Sequence, residues 1–154
     1  MSAQPGRSVP IIRSMLPADL DAITAIEDQT YKFPWGRRIF SDCLMAGYLC
    51  VVFDDDTEVI GYAIVSVAAA EGHILNLCVE VGSQRQGLGG QLLEYLLGQC
   101  RRMDVARLFL EVRPSNNAAI SLYESAGFSR LGIRKGYYQA VAGREDALVL
   151  VYDF

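Results

Sequence analysis

From Val79 to Leu93 the chain reads Val-Glu-Val-Gly-Ser-Gln-Arg-Gln-Gly-Leu-Gly-Gly-Gln-Leu-Leu. An apolar run ends, a polar glycine-rich loop follows, and a new apolar periodicity begins. Upstream, His73 to Val81 carries strand-type residues without a turn signal. Downstream, Leu92, Leu93, Leu96, Leu97 and Cys100 fall on one helical face. The stretch is therefore a strand, a loop and the start of a helix. Three glycines within four positions, Gly87, Gly89 and Gly90, let a ligand approach the backbone. The free amides of a first helical turn and the positive end of its dipole suit an anion such as a pyrophosphate. A glycine-rich turn with no ligand is the alternative. A dinucleotide fingerprint is excluded because Leu92 stands three residues after Gly89, and a P-loop because no lysine occurs between Gly82 and Arg102.

The rest of the chain surrounds this unit with further strands and helices. Met1–Ser8 is polar and carries glycine and proline, as a loose tail does, and residues 9–154 are expected to form a single domain. Val9 to Arg13 is a short strand. Pro17 opens a helix with Leu20, Ala22, Ile23 and Ile26 inward, which ends before Pro34. Phe33 and Trp35 flank that proline, and a second helix turns Ile39, Phe40, Cys43 and Leu44 inward. Tyr48 to Phe53 and Val59 to Ala68 form a hairpin across an Asp-rich turn. A reversal at Ala69 to Gly72 leads to the His73 strand. Beyond the helix, Leu108 to Arg113 reads as a central strand apolar on both faces, broken only by Glu111. Pro114-Ser115-Asn116 halts it and caps a helix whose Ala119, Leu122, Tyr123 and Ala126 share a face. Gly127 ends that helix. Phe128 starts a strand, Gly136 to Gly143 is a long loop or open hairpin, and Leu148 to Tyr152 is the last strand. The order gives one mixed α/β sheet with helices on its faces.

Charge and side-chain counts narrow the function. Fourteen basic residues against 18 acidic ones give 14 − 18 = −4, which opposes a broad nucleic-acid footprint. Four cysteines without Cys-x-x-Cys spacing and a single histidine make a metal site unexpected. The cysteines are read as reduced core residues. With neither a leader pattern nor a membrane-length apolar run, the expectation is a cytoplasmic protein with no membrane partner. Glu111, a carboxylate in apolar surroundings, is either a base of raised pKa or half of a salt bridge to an arginine on another strand. His73 reads as an ordinary surface or hairpin histidine, with a general base as the alternative, and Tyr123 as a core residue with a bonded hydroxyl.

Gln84-Arg85-Gln86-Gly87-Leu88-Gly89 fits the pattern Q/R-x-x-G-x-G/A, which resembles the acyl-CoA loop of the GNAT superfamily of N-acetyltransferases. The order of elements from Val9 to Phe154 is similar to that fold. The resemblance tightens at Phe33-Pro34-Trp35, at Leu110 to Ile120 with Leu122 to Phe128, and at Tyr137-Tyr138 with Gly143 to Ala147. There it is similar to bacterial enzymes that acetylate the N-terminal alanine of a small-subunit ribosomal protein. It implies acetyl-CoA as cosubstrate and the N-terminal peptide of a ribosomal protein as partner. It also implies Glu111 as general base and Tyr123 as general acid. Leu77, Cys78 and Val79 match the strand that holds the acetyl and pantetheine part. Arg85, Gln86, Gly87, Leu88, Gly89 and Gly90 match the pyrophosphate loop, and Asn116 a further cofactor contact. Phe33, Trp35, Tyr137, Tyr138, Glu145 and Asp146 are the candidates for the peptide mouth. Relatives often carry a basic residue where this chain has Gly90, which puts more weight on Arg85 and the backbone amides. Acetylation of a small amine or a lysine side chain, and acyl-CoA binding without turnover, are the rival readings.

Overall fold

The structure, a computed structural model, describes residues 10–84 and 87–154. The expected tail, Val9, and Arg85 and Gln86 of the loop lie outside the described residues. Seven strands and four α-helices follow in order. They are β1 (Ile11–Ser14), α1 (Leu20–Thr30), α2 (Arg37–Met45), β2 (Leu49–Asp54), β3 (Val59–Ala68), β4 (Glu71–Val79), α3 (Leu88–Arg102), β5 (Arg107–Val112), α4 (Asn117–Ser125), β6 (Ser129–Gln139) and β7 (Arg144–Asp153). Hydrogen bonding gives the ladder order β1-β2-β3-β4-β5-β7-β6. The sheet is mixed, with β4 and β5 parallel. Contacts gather the described residues into two compact units, one holding those up to Val65 with Asn76–Leu92, the other Ser66–Leu75 with Leu93–Phe154.

In the first unit β1 pairs antiparallel with β2, and β2 with β3. α1 buries Leu20, Ile23, Ile26 and Glu27, and α2 buries Phe40 and Cys43. Rings stack from Trp35 to Phe40 (5.2 Å) and from Phe40 to Tyr62 (5.5 Å). Asp19, just before α1, is buried and takes both Nη atoms of Arg13 at 2.9 Å, plus the Leu16 amide at 2.7 Å. The Arg13 guanidinium, the main influence, holds the Asp19 carboxyl below its usual range against the opposing pull of burial.

In the second unit β4 pairs with β5 from Glu71↔Arg107 to Ile74↔Leu110. β7 pairs antiparallel with β5 on one side and β6 on the other. The Asn116 side chain caps α4 by accepting from the Ala119 amide at 3.2 Å, as the sequence predicts. Gly127 ends the helix at φ +109°, and a Cβ there would meet the Tyr152 ring at 3.0 Å. Conformation and space both demand glycine at that turn.

Three expectations are corrected. β4 starts at Glu71 and stops at Val79, because Val81–Ser83 tightens into a 3-10 turn. Ile39 is exposed, since α2 turns only Phe40 and Cys43 fully inward. β5 is not covered alike on both faces: Leu108, Leu110 and Val112 are buried, whereas Arg107, Phe109 and Glu111 alternate with them at partial exposure. Of the two readings of Gly136 to Gly143, the open hairpin is the one present: β6 continues to Gln139, residues 140–143 make the turn, and Gln139 pairs with Arg144. Two register irregularities and exposure of nearly all of β6 erase the alternation by which a half-buried strand is recognised.

Candidate active site

The cofactor side of the site begins where β4 ends. Gln84 Nε2 donates to the Val79 carbonyl at 2.8 Å, and the Ser83 hydroxyl meets Glu80 Oε1 at 3.1 Å. These bonds tie the start of the loop back onto the strand. Gly87 has φ +75°, and no heavy atom stands within 4 Å of the place a Cβ would take. The open space and the first-turn amides of α3 fit a phosphate-bearing ligand. Leu88 is buried, while Gly89 and Gly90 are half-buried. Upstream on β4, the Leu77 carbonyl accepts from the Tyr31 hydroxyl at 3.4 Å. Cys78 is buried, with Sγ 3.7 Å from Thr30 Oγ1. Burial pushes its thiol up, away from the thiolate a nucleophile requires.

A segment rich in aromatics belongs to the same unit. Phe33 is exposed, and Trp35 packs on Phe40. Glu27, only 2% exposed, anchors this segment by accepting from the Trp35 amide at 2.9 Å. Its other oxygen accepts from the Tyr62 hydroxyl at 2.6 Å and from Asn76 Nδ2 at 2.9 Å. A helix, a loop and two strands thus meet on one carboxylate.

The second unit carries Glu111, whose side chain is 8% exposed. Its Oε1 lies 2.5 Å from His73 Nε2 and 3.5 Å from the Tyr137 hydroxyl. Its Oε2 accepts from Arg134 Nη1 at 3.3 Å. Burial is the largest single influence on this carboxyl and raises its pKa. The hydrogen bonds and charges of His73 and Arg134 together outweigh burial, and the net direction is downward. Of the two readings the sequence left open, the salt bridge to an arginine of another strand is present and the raised pKa is not.

Three candidate tyrosines belong to this unit, of which Tyr137 reaches Glu111. Tyr123 is buried on α4, its ring 5.6 Å from that of Phe128. Tyr137 and Tyr138 are edge-on at 4.9 Å. The guanidinium of Arg134 lies over Tyr137 at 4.7 Å, and that of Arg113 over Tyr138 at 4.4 Å. Burial, then the neighbouring Tyr137 and the Glu111 charge, push the Tyr138 phenol up. Burial and the Glu111 charge do the same to Tyr137.

Both acids proposed for the peptide mouth have internal partners. Glu145 accepts from Arg113 Nη1 at 2.8 Å and from the Ser115 hydroxyl at 3.1 Å, and Arg113 chiefly lowers its pKa. Asp146 accepts from the Gly136 amide at 2.8 Å and borders an open groove of about 650 Å³ with Pro114, Ile120, Ile133 and Leu148. Asn116 turns its Oδ1 to the α4 amide, which leaves its NH2 to donate.

Sequence reasoning missed Arg134, Glu27 and the pairing of His73 with Glu111. His73 pairs with Phe109 across the parallel ladder, so Glu111, two residues on, shares its face. One sequence carries no register, and a lone histidine at a strand start gives no signal without it. Glu27 was hidden by its place in a helical stripe of apolar residues.

Known proteins resemble this one over nearly its whole length. The ribosomal protein bS18-alanine N-acetyltransferase of Escherichia coli K12 is 40% identical over 139 residues, which is 90% of this chain and 94% of that one. Its counterpart in Salmonella typhimurium is 39% identical over 132 residues, covering 86% and 89%. The crystal structure of the E. coli ribosomal-protein-S18-alanine N-acetyltransferase matches with a TM-score of 0.88 at 39% identity, covering 94% of each chain. Residues 20–128 match the model of the acetyltransferase (GNAT) family, and to that family this chain belongs.

Proposed function

We propose that this protein transfers an acetyl group from acetyl-CoA to the α-amine of the N-terminal alanine of ribosomal protein bS18, in the cytoplasm. The observation that carries the reading is the 40% identity, across 90% of the chain, to an enzyme named for that reaction. The loop at Gly87, with its open approach and helix-start amides, supports acetyl-CoA as the donor. Acetyl-CoA supplies an activated thioester, so no acyl-enzyme is needed, and the protonated thiol of Cys78 serves as lining.

The chain's own residues then have three tasks: to free the amine of its proton, to stabilise the developing oxyanion, and to protonate the departing thiolate. An α-amine of pKa about 8 is roughly a tenth neutral at pH 7, whereas a lysine near 10.4 is neutral about once in several thousand. The base therefore has a modest task, which Glu111 takes. Its burial, its position at the end of β5 and its surrounding donors support that role. A backbone N–H near Val79 takes the oxyanion. Tyr123 is the acid. A phenol near 10 facing a thiol near 8.5 gives proton transfer uphill by about 2 kcal/mol, so Tyr123 donates a hydrogen bond first and its proton later. Phe33, Trp35, Tyr137 and Tyr138 provide rigid rings for the peptide, and Glu145 and Asp146 provide carboxylates that attract its cationic N-terminus.

The test is mass spectrometry after incubation with acetyl-CoA. An alanine-starting peptide is expected to gain one acetyl group at its α-amine, and its N-terminally blocked, lysine-bearing counterpart none. Preferential labelling of the lysine peptide would assign the enzyme to the other substrate class.

A further inference from the structure

Within the second unit, β6 leaves the regular ladder just beside Glu111. Tyr138 pairs with Glu145 and Arg134 with Ala147, so Lys135, Gly136 and Tyr137 of β6 stand opposite the single Asp146 of β7. Gly136, at φ +58°, takes the left-handed turn this bulge requires. We propose that Arg144 is a positioning residue of the active site, whose guanidinium grips the carbonyls of Gly136 and Tyr137 and so holds the Tyr137 side chain against Glu111. The inference rests on the reading of Glu111 as the base and of Tyr137 as part of the peptide mouth.

Strand geometry shows what the bulge does. Glu111 pairs with Val149 and Arg134 with Ala147, so Arg134 shares the Glu111 face of the sheet, and it bonds Oε2 at 3.3 Å. Tyr137 is three positions beyond Arg134, and in an unbroken strand it would point to the opposite face. Its hydroxyl instead stands 3.5 Å from Glu111 Oε1, its ring lies under the Arg134 guanidinium at 4.7 Å, and it meets the ring of its chain neighbour Tyr138 at 4.9 Å. The extra residues of β6 turn Tyr137 over. Side chains of β7 hold the bulge in that state. Asp146 accepts from the Gly136 amide at 2.8 Å, while Arg144 Nε donates to the Gly136 carbonyl and Nη2 to the Tyr137 carbonyl at 3.0 Å. The first of these carbonyls belongs to the peptide unit before Tyr137 and the second to the unit after it. One planar fork thus fixes both backbone dihedrals of Tyr137, and with them the direction of its ring. Arg144 is exposed, and water can replace its bonds, so its share in overall stability is small. Its effect falls on the aim of one side chain.

The experiment compares the full-length protein with Arg144→Gln, Arg144→Lys, Tyr137→Ala and the double variant Arg144→Gln/Tyr137→Ala, by steady-state kinetics on an alanine-starting peptide and by melting temperature. Arg144→Gln is expected to lower kcat/KM for the peptide about 10- to 100-fold, with the KM for acetyl-CoA unchanged and the melting temperature within about 2 °C. Arg144→Lys is expected to lose as much, because an ammonium keeps the charge but lacks the planar fork; wild-type kcat/KM in either variant overturns the proposal. In the Tyr137→Ala background, Arg144→Gln is expected to cost less than about twofold more, since the side chain it aims is gone. Losses that multiply across the two positions overturn the proposal as well. Independently of any substrate, hydrogen exchange of the Gly136 to Tyr138 amides is expected to speed up about tenfold or more in Arg144→Gln, with exchange in the rest of the sheet unchanged; an unchanged rate at the bulge overturns the clamp. A wild-type protein inert on the alanine peptide overturns the functional reading, a separate outcome, and the exchange result then decides the clamp.

Discussion

Among the described residues the side chains of two glutamates, Glu27 and Glu111, are almost wholly shielded from solvent, one in each compact unit, and their surroundings differ in kind. Glu27 receives three neutral donors, the Trp35 amide, the Tyr62 hydroxyl and the Asn76 amide group, from three other parts of the chain. Glu111 is met by an imidazole, a guanidinium and a phenol, and its histidine reaches solvent. The first arrangement fixes backbone and side chains around one carboxylate. The second sets a carboxylate among charged and titratable side chains beside a partly exposed histidine. Burial alone does not mark a catalytic carboxylate; its donors decide what it does.

The same substitution at the two sites is therefore expected to have opposite readouts. Glu111→Gln should lower kcat by about 10² to 10⁴, and Tyr123→Phe by a similar factor, with the melting temperature little changed. Steady-state kinetics on the alanine peptide checks both, and full activity in both variants would remove the catalytic assignment. At Glu27 the larger loss is of stability. Glu27→Ala strands three buried donors and should cost about 3 kcal/mol, roughly 6 to 12 °C in melting temperature for a chain of this size. Glu27→Gln, which retains one acceptor oxygen, should lose less. A Glu27→Ala protein that melts like the wild type would erase the contrast.

Acid sharpens the comparison on the stability side. The folded-state pKa of Glu111 lies below its unfolded value, so its pairing stabilises fully above an ordinary glutamate's pKa, about 4.3. That stabilisation is lost as pH falls through the lowered folded value. In denaturant titrations from neutral pH into the acid range, Glu111→Gln should flatten the acid decline. An unchanged decline would place the acid sensitivity elsewhere, for example at the Arg13–Asp19 pair. The smallest effect is expected from Arg134→Gln. This half-exposed cation contacts Glu111 at 3.3 Å, and its loss should change kcat about two- to fivefold.

Much of this was legible from residues alone, and the gaps have physical reasons. β3 runs from Val59 to Ala68 as read, α3 buries Leu92, Leu93, Leu96, Leu97 and Cys100, and Asn116 and Gly127 bracket α4. These elements depend on local chemistry: apolar spacing, a capping oxygen, a positive φ. The pairs His73–Glu111 and Arg134–Glu111 join residues 38 and 23 positions apart, and only strand register brings them together. The sequence posed Glu111 as base or as ion-pair partner, an opposition the fold dissolves by making the ion pair the setting of the proposed base. Sequence left Gly136 to Gly143 open between loop and hairpin because an outermost strand exposes both faces and so lacks the pattern.

That outermost strand has a further consequence. β6 ends the ladder, and a terminal strand with a free row of amides and carbonyls invites another chain to add itself. Here the row is interrupted at Arg130/Gly132 and again between Arg134 and Tyr138, and Arg130, Arg134 and Lys135 project positive charge along it. A second β6 brought alongside would meet a mismatched spacing and like charges. The irregular margin that hid the strand from pattern reading also guards the protein against fibrillar self-association at high concentration.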